Sequence, residues 1–406
     1  MPTAQETFIQ NTLCPQNSPL SHDTIVYTPL SSQLPPLTSN DSIDLELYTL
    51  ISTLISRSVL TWYRPITPDT EFISEVVLTI AHCTRDLEAR LRRVDRERVI
   101  LDDIPRVVGK HIDAFEAARG VEDSAAAFAI LRPHLVLEGK EDEWAQILAG
   151  KLAELVFPPD EWENPCERVL ITEILSELVL KKVLLEMASQ PELIWGLIRK
   201  MVVEHVPQGR SKDGVKSWTT MFWGTLQNMS SAWEVMRLAY YDAPKRGSQA
   251  KPVVDMEVWN LLARISELRK RMPWLTASAA LARRLTSSGF CAVNSAVDRF
   301  LSWGVQKALD QDQIPPLLAS LRTVIFPTVP LPPTMATSRE CAAALVDAMP
   351  PAFRNIYFGA LSTTGCADHV VATLRWLDDR QINKRLIVAL VELLVVRVFP
   401  ELEVGS

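Results

Sequence analysis

Two kinds of residue in this chain of 406 amino acids could do chemistry: thiols and imidazoles that bind metals or attack substrates, and cations set beside aromatic rings. His82, His111, His134, His205 and His369 are scattered, with no HExxH or other ligand spacing, and read as isolated structural histidines. Cys14, Cys83, Cys166, Cys291, Cys341 and Cys366 form no CxxC pair, which argues against a zinc site and a disulfide scaffold and fits free thiols in a reducing compartment. No GxSxG, GxxxxGK or GxGxxG is present. The expectation is a protein with no catalytic residue, no metal and no cofactor, and hence not an enzyme.

The second kind is concentrated between Arg264 and Arg284. Arg264, Arg269, Lys270, Arg271, Arg283 and Arg284 face one acid, Glu267, around Met272-Pro273-Trp274-Leu275. Cations beside an exposed tryptophan suit an anionic membrane surface, at about 1 kcal/mol per charge. Arg269, Lys270, Arg271, Trp274, Arg283 and Arg284 are therefore the membrane-surface candidates. The alternative is a solvated helix face with Trp274 buried as a core anchor. The arginines from Arg85 to Arg98 alternate with Asp86, Glu88, Asp95 and Glu97, and helical ion pairing accounts for them.

Two segments that must position any ligand are apolar nearly all round. Residues 166–186 and 386–399 display more apolar surface than one packed face requires, so they are either central core helices or walls of an apolar cavity. For the cavity, Ile174, Leu178, Val179, Leu185, Leu390, Leu394 and Val398 are the lining candidates. Each acyl methylene leaving water would contribute roughly 0.8 kcal/mol, so about ten offset the cost of immobilising a lipid.

Sparse glycine (14 residues) with recurring leucine, alanine, glutamate and arginine predicts an all-α, multi-helical fold, and 47% hydrophobic residues provide for a substantial core. A net charge of −7 supplies no overall positive field for a nucleic-acid backbone, so no nucleic-acid partner is expected. The first ten residues lack the basic start and apolar run of a signal peptide, and the longest apolar stretch, residues 386–399, is shorter than the roughly 20 residues needed to span a bilayer. Residues 1–40, rich in Pro, Ser, Thr, Gln and Asn, read as a flexible tail.

Helices are predicted from Asp41 and Ser42 as N-caps to Pro65, then over about 69–94, 97–118, 122–136, 141–156, 165–188 and 191–205. An aromatic helix carrying Trp218, Phe222, Trp223, Trp233, Tyr240 and Tyr241 lies between polar breaks at 206–217 and 243–252. Helices resume over 253–271, 275–286, 289–310 and 313–325, and four shorter ones follow a proline-rich turn at 326–333.

In this order the motifs VLTWYRPITPDTEF (59–72), LEARLRRVDRERVILDDIPRVVGKHIDAF (87–115) and ERVLITEILSELVLKKVLLEMASQPELI (167–194) resemble the PXA domain, the phox-associated module of the sorting-nexin group. MPWLTASAALARRL (272–285), LRTVIFP (321–327) and DDRQINKRLIVALVELLVVRVFPEL (378–402) are similar to the nexin C-terminal domain. RPHL (132–135) departs from the family's His-Pro pair, and nothing resembles the PX domain, the RGS domain or the membrane hairpin of larger relatives. The resemblance therefore points to minimal members of the group and divides the chain into a tail (1–40), a PXA-like domain (41–206), a connecting segment (207–252) and a nexin-C-like domain (253–406). It implies two helical regions packed as one lipid-binding body with an apolar cavity, and lipid binding extending to transfer. The setting it implies is cytoplasmic and peripheral, at contacts of the endoplasmic reticulum with other organelles. The implied partners are lipid acyl chains, a membrane surface and a membrane-anchored protein. The alternative is a helical scaffold or tether that binds protein partners at membrane contacts without carrying lipid.

Overall fold

A computed structural model describes residues 3–14, 29–67, 69, 71–120, 124–132, 139–158, 162–205, 251–274, 276–277, 280, 298–299, 301–306, 314–326, 337–349, 351–359 and 362–403. Every element among them is helical.

The first correction is at the N-terminus, expected to be a flexible tail. Residues Ala4–Leu13 form helix α1, whose N-cap Thr3 and residue Glu6 close a reciprocal capping box. One face of α1 is apolar enough to dock: Ile9 is fully buried and Leu13 nearly so. Helix α2, Asp41–Leu54, is capped by Asn40, one residue before the expected caps, with its side chain accepting from the N–H groups of Ser42 and Ile43. Buried Asp44 then accepts from the N–H of Leu37 (2.9 Å), the N–H of Thr38 (2.7 Å) and the Thr38 hydroxyl (2.6 Å). Three hydrogen bonds to one carboxylate order the segment that composition alone would leave loose.

A π-helical turn, Ile55–Val59, joins α2 to α3, Leu60–Ile66. Pro65 lies inside the last turn of α3 rather than ending it. Helix α4 is Glu71–Leu91. A second π turn, Val99–Asp103, leads into α5, Ile104–Ala118, and α6 spans Ser124–Leu131. Helix α7, Glu141–Val156, buries Ala145, Ala149 and Ala153 completely along one stripe.

Helix α8, Pro165–Glu173, passes into a long π-helical segment, Ile174–Met187, where ordinary α-helix was predicted. Its buried positions are Ser176, Leu180, Leu185 and, just beyond, Ser189, at steps of four, five and four residues. An α-helix would bury at steps of three and four, so the wider i→i+5 winding selects a different stripe.

Helix α9 is Pro191–His205 and α10 is Val258–Ile265. The helix expected over 253–271 is broken after α10, because Glu267 takes a left-handed conformation (φ 46°) before a last turn at Leu268–Arg271. Then follow α11 (Ile314–Ile325), α12 (Ser338–Ala348), α13 (Pro351–Phe358), α14 (Thr363–Thr373) and α15 (Arg380–Val398). The aromatic helix expected over 218–241 lies outside the described residues.

The chain divides into two compact units, each assembled from distant segments. The first comprises Met1–Val94, Asp142–Lys181 and Gln311–Pro330. Its core gathers Ile9 and Leu13 of α1, Leu34 and Leu37, Tyr48 of α2, Ile55 and Leu60, and Ile73, Val77 and Ala81 of α4.

The second comprises Asp95–Glu141, Lys182–Asp310 and Leu331–Ser406. Its main core joins Ile112 of α5 and Trp195 of α9 to Cys341, Ala342 and Leu345 of α12, Ala367 of α14, Trp376, Leu377, and Leu386 of α15. Helices from residues 95–205 and helices from the C-terminal third thus share one interior.

Candidate functional site

Polar side chains complete what the apolar core of the second unit begins. The Trp195 indole N–H donates to the Asp378 carboxylate at 3.0 Å. Fully buried Asn383 donates to the carbonyls of Leu377 (2.8 Å) and Ser189 (3.2 Å). Arg264 donates to the Gly109 carbonyl at 2.7 Å and pairs with Asp113 at 2.9 Å. A Cβ at Gly109 would stand 3.0 Å from that guanidinium, so a larger residue there would make the Arg264 side chain give way by a few tenths of an ångström.

The adjacent acids Asp102 and Asp103 are both buried and anchor the C-terminal half. Asp102 accepts from the Lys251 ammonium (2.6 Å) and the Glu257 N–H (3.0 Å) and pairs with Arg106. Burial pushes its carboxyl up, but the Lys251 and Glu257 hydrogen bonds and the charges of Arg106 and Lys251 outweigh that and hold it below the usual carboxylate value. Arg397 of α15 lies 2.8 Å from Asp103 Oδ2, close enough for an ion pair but outside hydrogen-bond geometry.

His111 is sealed in this interior, between the rings of Phe128 (5.1 Å) and Trp376 (5.9 Å). Burial, with the charges of Arg132 and Arg385, pushes its imidazole down to about 4, so the ring is neutral. His369 contacts Arg271, and the side chains of His134 and His205 lie outside the described residues. Among the described residues the cysteines are free thiols, and no group of His, Cys, Asp and Glu could hold a metal ion.

The lining candidates fall in both units. Ile174, Leu178 and Val179 belong to the first, where Ile174 is 40% exposed and the other two are half-buried. Leu185, Leu390, Leu394 and Val398 belong to the second; Leu185 is fully buried, Leu390 and Val398 are half-buried, and Leu394 is 42% exposed. Along α15 the side chains from Ala389 to Val398 are half-covered or exposed, although most are aliphatic.

The basic segment divides into two parts. Arg269 and Lys270 are exposed, Lys270 pairing with Glu267 at 2.7 Å, and Trp274 is 64% exposed rather than buried as an anchor. Arg271 instead lies over the rings of Tyr357 (5.1 Å) and Phe358 (5.8 Å), with His369 Nδ1 at 2.8 Å, and belongs to the packing of the second unit. Arg283 and Arg284 lie outside the described residues. No helix among the described residues is long and apolar enough to cross a membrane.

Two clefts in the first unit had no signal in the sequence. One, of about 490 Å³, lies along α7 and α8 between Ile147, Gly150, Trp162 and Val169. The other, of about 500 Å³, brings together Gln5, Thr49, Arg57 and Arg322. Their separation along the chain hides such a convergence.

The composition of the second unit's core, in which Ile112 and Trp195 are buried by C-terminal helices, bears on kinship. Residues 40–201 match the profile of the PXA domain. This segment of the chain is a PXA domain. Over 159 residues the chain is 26% identical to PXA domain protein 1 of Schizosaccharomyces pombe, covering 37% of this chain and 32% of that protein. Over 177 residues it is 24% identical to sorting nexin-14 of Danio rerio, covering 41% of this chain and 19% of the relative. The chain thus matches about a third or less of the length of these curated relatives. No solved structure matches it. The PXA domain contributes residues to both compact units, and Ile112, Trp195, Asp102 and Asp103 are PXA residues that also contact residues beyond the match.

Proposed function

We propose that the chain is a non-enzymatic lipid-binding protein that holds acyl chains against helices contributed by the PXA domain and by a nexin-C-like region at 253–406. The observation that carries this reading is α15. Its N-terminal part joins the shared core through Leu386, with Leu390 packed against it, and a smaller cluster around Phe128 through Ile382, yet residues 389–398 keep a largely aliphatic surface half-covered, with Leu394 at 42% exposure. Leaving that surface in water is unfavourable by roughly 25 cal/mol per Å², and an acyl chain laid along it would recover the loss. Leu185, Leu390, Leu394 and Val398, all of the second unit, are the residues assigned to such a chain.

Membrane encounter would use exposed Trp274 with Arg269 and Lys270, and a membrane-anchored partner would set the site, at the endoplasmic reticulum or an organelle contact. Kinship to a sorting nexin supports a peripheral membrane setting. Native mass spectrometry of the purified chain tests the proposal: co-purifying lipid is expected, lost or reduced several-fold in Leu394→Asp. Absence of bound lipid after expression in a lipid-rich host would sink it. The cleft beside exposed Ile147 and Val169 supports the other reading, a scaffold that takes a protein partner.

A further inference from the structure

The cleft of about 490 Å³ in the first unit carries an inference about the kind of partner this chain takes. Helices α7 and α8 form its two walls, each presenting side chains at steps of four: Gln146, Gly150 and Glu154 on one, Arg168 and Thr172 on the other. The Gln146 amide donates to Glu173 at 3.0 Å and ties the walls together. A Cβ at Gly150 would meet no neighbouring atom within 4 Å, so space is open above that residue. Ile147 and Val169 line the cleft at 60% and 61% exposure, and Leu170 and Ile174, at 42% and 40%, carry the apolar exposure onward along the chain. An enclosed pocket would bury most of a small ligand, whereas this one lies open along both helices, the form of a groove that takes a helix.

The surroundings of this groove are acidic. Between Asp142 and Lys181 the sequence holds nine acids and three bases, a net charge of −6 where the whole chain carries −7. All three bases are engaged: Lys181 lies 2.7 Å from Asp142 and 2.8 Å from Glu177, Lys151 pairs with Glu154 at 3.1 Å, and the Arg168 guanidinium stands over the Trp162 ring at 6.0 Å. Four exposed acids of the same segment, Glu143, Glu163, Glu167 and Glu173, have no cation within ion-pair distance among the described residues. Glu167 and Glu173 accept instead from the neutral amides of Asn164 (2.9 Å) and Gln146.

We infer that the groove binds a basic amphipathic helix of a partner protein, its apolar stripe laid against Ile147 and Val169 and its lysines or arginines pairing with the acids that lack a cation. Charge sets aside two other occupants. A second copy would bring the same acidic segment against itself, and an anionic membrane would meet like charge. The inference rests on reading this cleft as the docking surface of a scaffold, and it stands apart from acyl-chain binding, whose residues belong to the second unit.

The test is fluorescence anisotropy of the full chain with a labelled synthetic peptide of about 18 residues, leucine recurring at alternate steps of three and four and lysine on both flanks, beside the same peptide with glutamate for lysine. Saturable binding of the lysine peptide is expected, weakened about tenfold in the double variant Ile147→Asn, Val169→Asn. It should weaken several-fold, with a shallower salt dependence, in Glu163→Gln, Glu167→Gln, and stay unchanged in Leu262→Asn, an exposed leucine of the second unit. All the substituted positions are exposed, so the variants should keep the unfolding midpoint of the parent chain. Equal binding of the glutamate peptide, or no effect of Glu163→Gln, Glu167→Gln, overturns the basic partner while leaving the cleft a protein-docking surface. Binding of neither peptide, or equal loss in Leu262→Asn, overturns both. A dimer in sedimentation, or flotation on phosphatidylcholine vesicles, that Ile147→Asn, Val169→Asn abolishes would give the groove to a second copy or to lipid and likewise overturn the inference. Leu394→Asp should leave peptide binding intact and the groove variants should keep their co-purifying lipid, so the acyl-chain proposal can fail alone.

Discussion

His111 shows what a single residue contributes when its surroundings forbid its charge. Its folded value of about 4 lies below the ordinary histidine value of about 6.5, so the neutral ring stabilises the fold fully above that ordinary value. As pH falls from about 6.5 toward 4 the unfolded chain takes up a proton that the folded chain refuses, and about 3 kcal/mol is lost across the window. Asp102 acts lower: its depressed carboxyl gives stability above the ordinary carboxylate value that disappears as pH falls through its folded one. Urea unfolding at pH 7.5 and pH 5 should therefore show a marked drop in stability, and His111→Leu should flatten that dependence whatever it does to stability at pH 7.5. An unchanged slope in the variant would remove His111 as the cause. A lone histidine on a helix gave no hint of this, because Phe128 and Trp376 come from elsewhere in the chain.

At the scale of elements, helix α1 and the long π segment mark where local pattern stops being informative. Residues 4–13 are polar enough to pass for a tail, but Ile9 and Leu13 on one face suffice once α2 and α4 provide a surface. Replacing Ile9 by alanine should cost about 2–5 kcal/mol, seen as a lower denaturation midpoint, whereas a frayed tail would leave the midpoint unmoved. The π segment, Ile174–Met187, was legible as apolar but not in its register. Its buried stripe at Leu180 and Leu185 follows the wider winding, so faces assigned at α-helical spacing around Ile174, Leu178 and Val179 do not coincide with the buried one. Helices over 141–156 and 191–205 matched their sequence boundaries, being bounded by glycine, proline and acidic starts.

At the scale of the whole molecule, the PXA domain is not an independent core. Ile112 and Trp195, 6% and 1% exposed, share their core with residues of α12, α14 and α15, and Asp102 pairs with Lys251 as well as with Arg106. Residues 40–205 expressed alone should show helical circular dichroism without a cooperative unfolding transition, whereas a sharp transition would show that the domain closes on itself. The amino-acid order by itself determined the all-α class, most helix positions, the likeness to the PXA domain and the excess of apolar surface along residues 166–186 and 386–399. These are properties of residues close together in the chain, where propensity, capping and periodicity act. The tertiary structure alone decided that C-terminal helices finish the PXA core, that Arg271 is packing while Trp274 is exposed, and that Arg57 and Arg322 face one cleft. Each of these depends on which distant side chains exclude water from one another, and no local pattern records that.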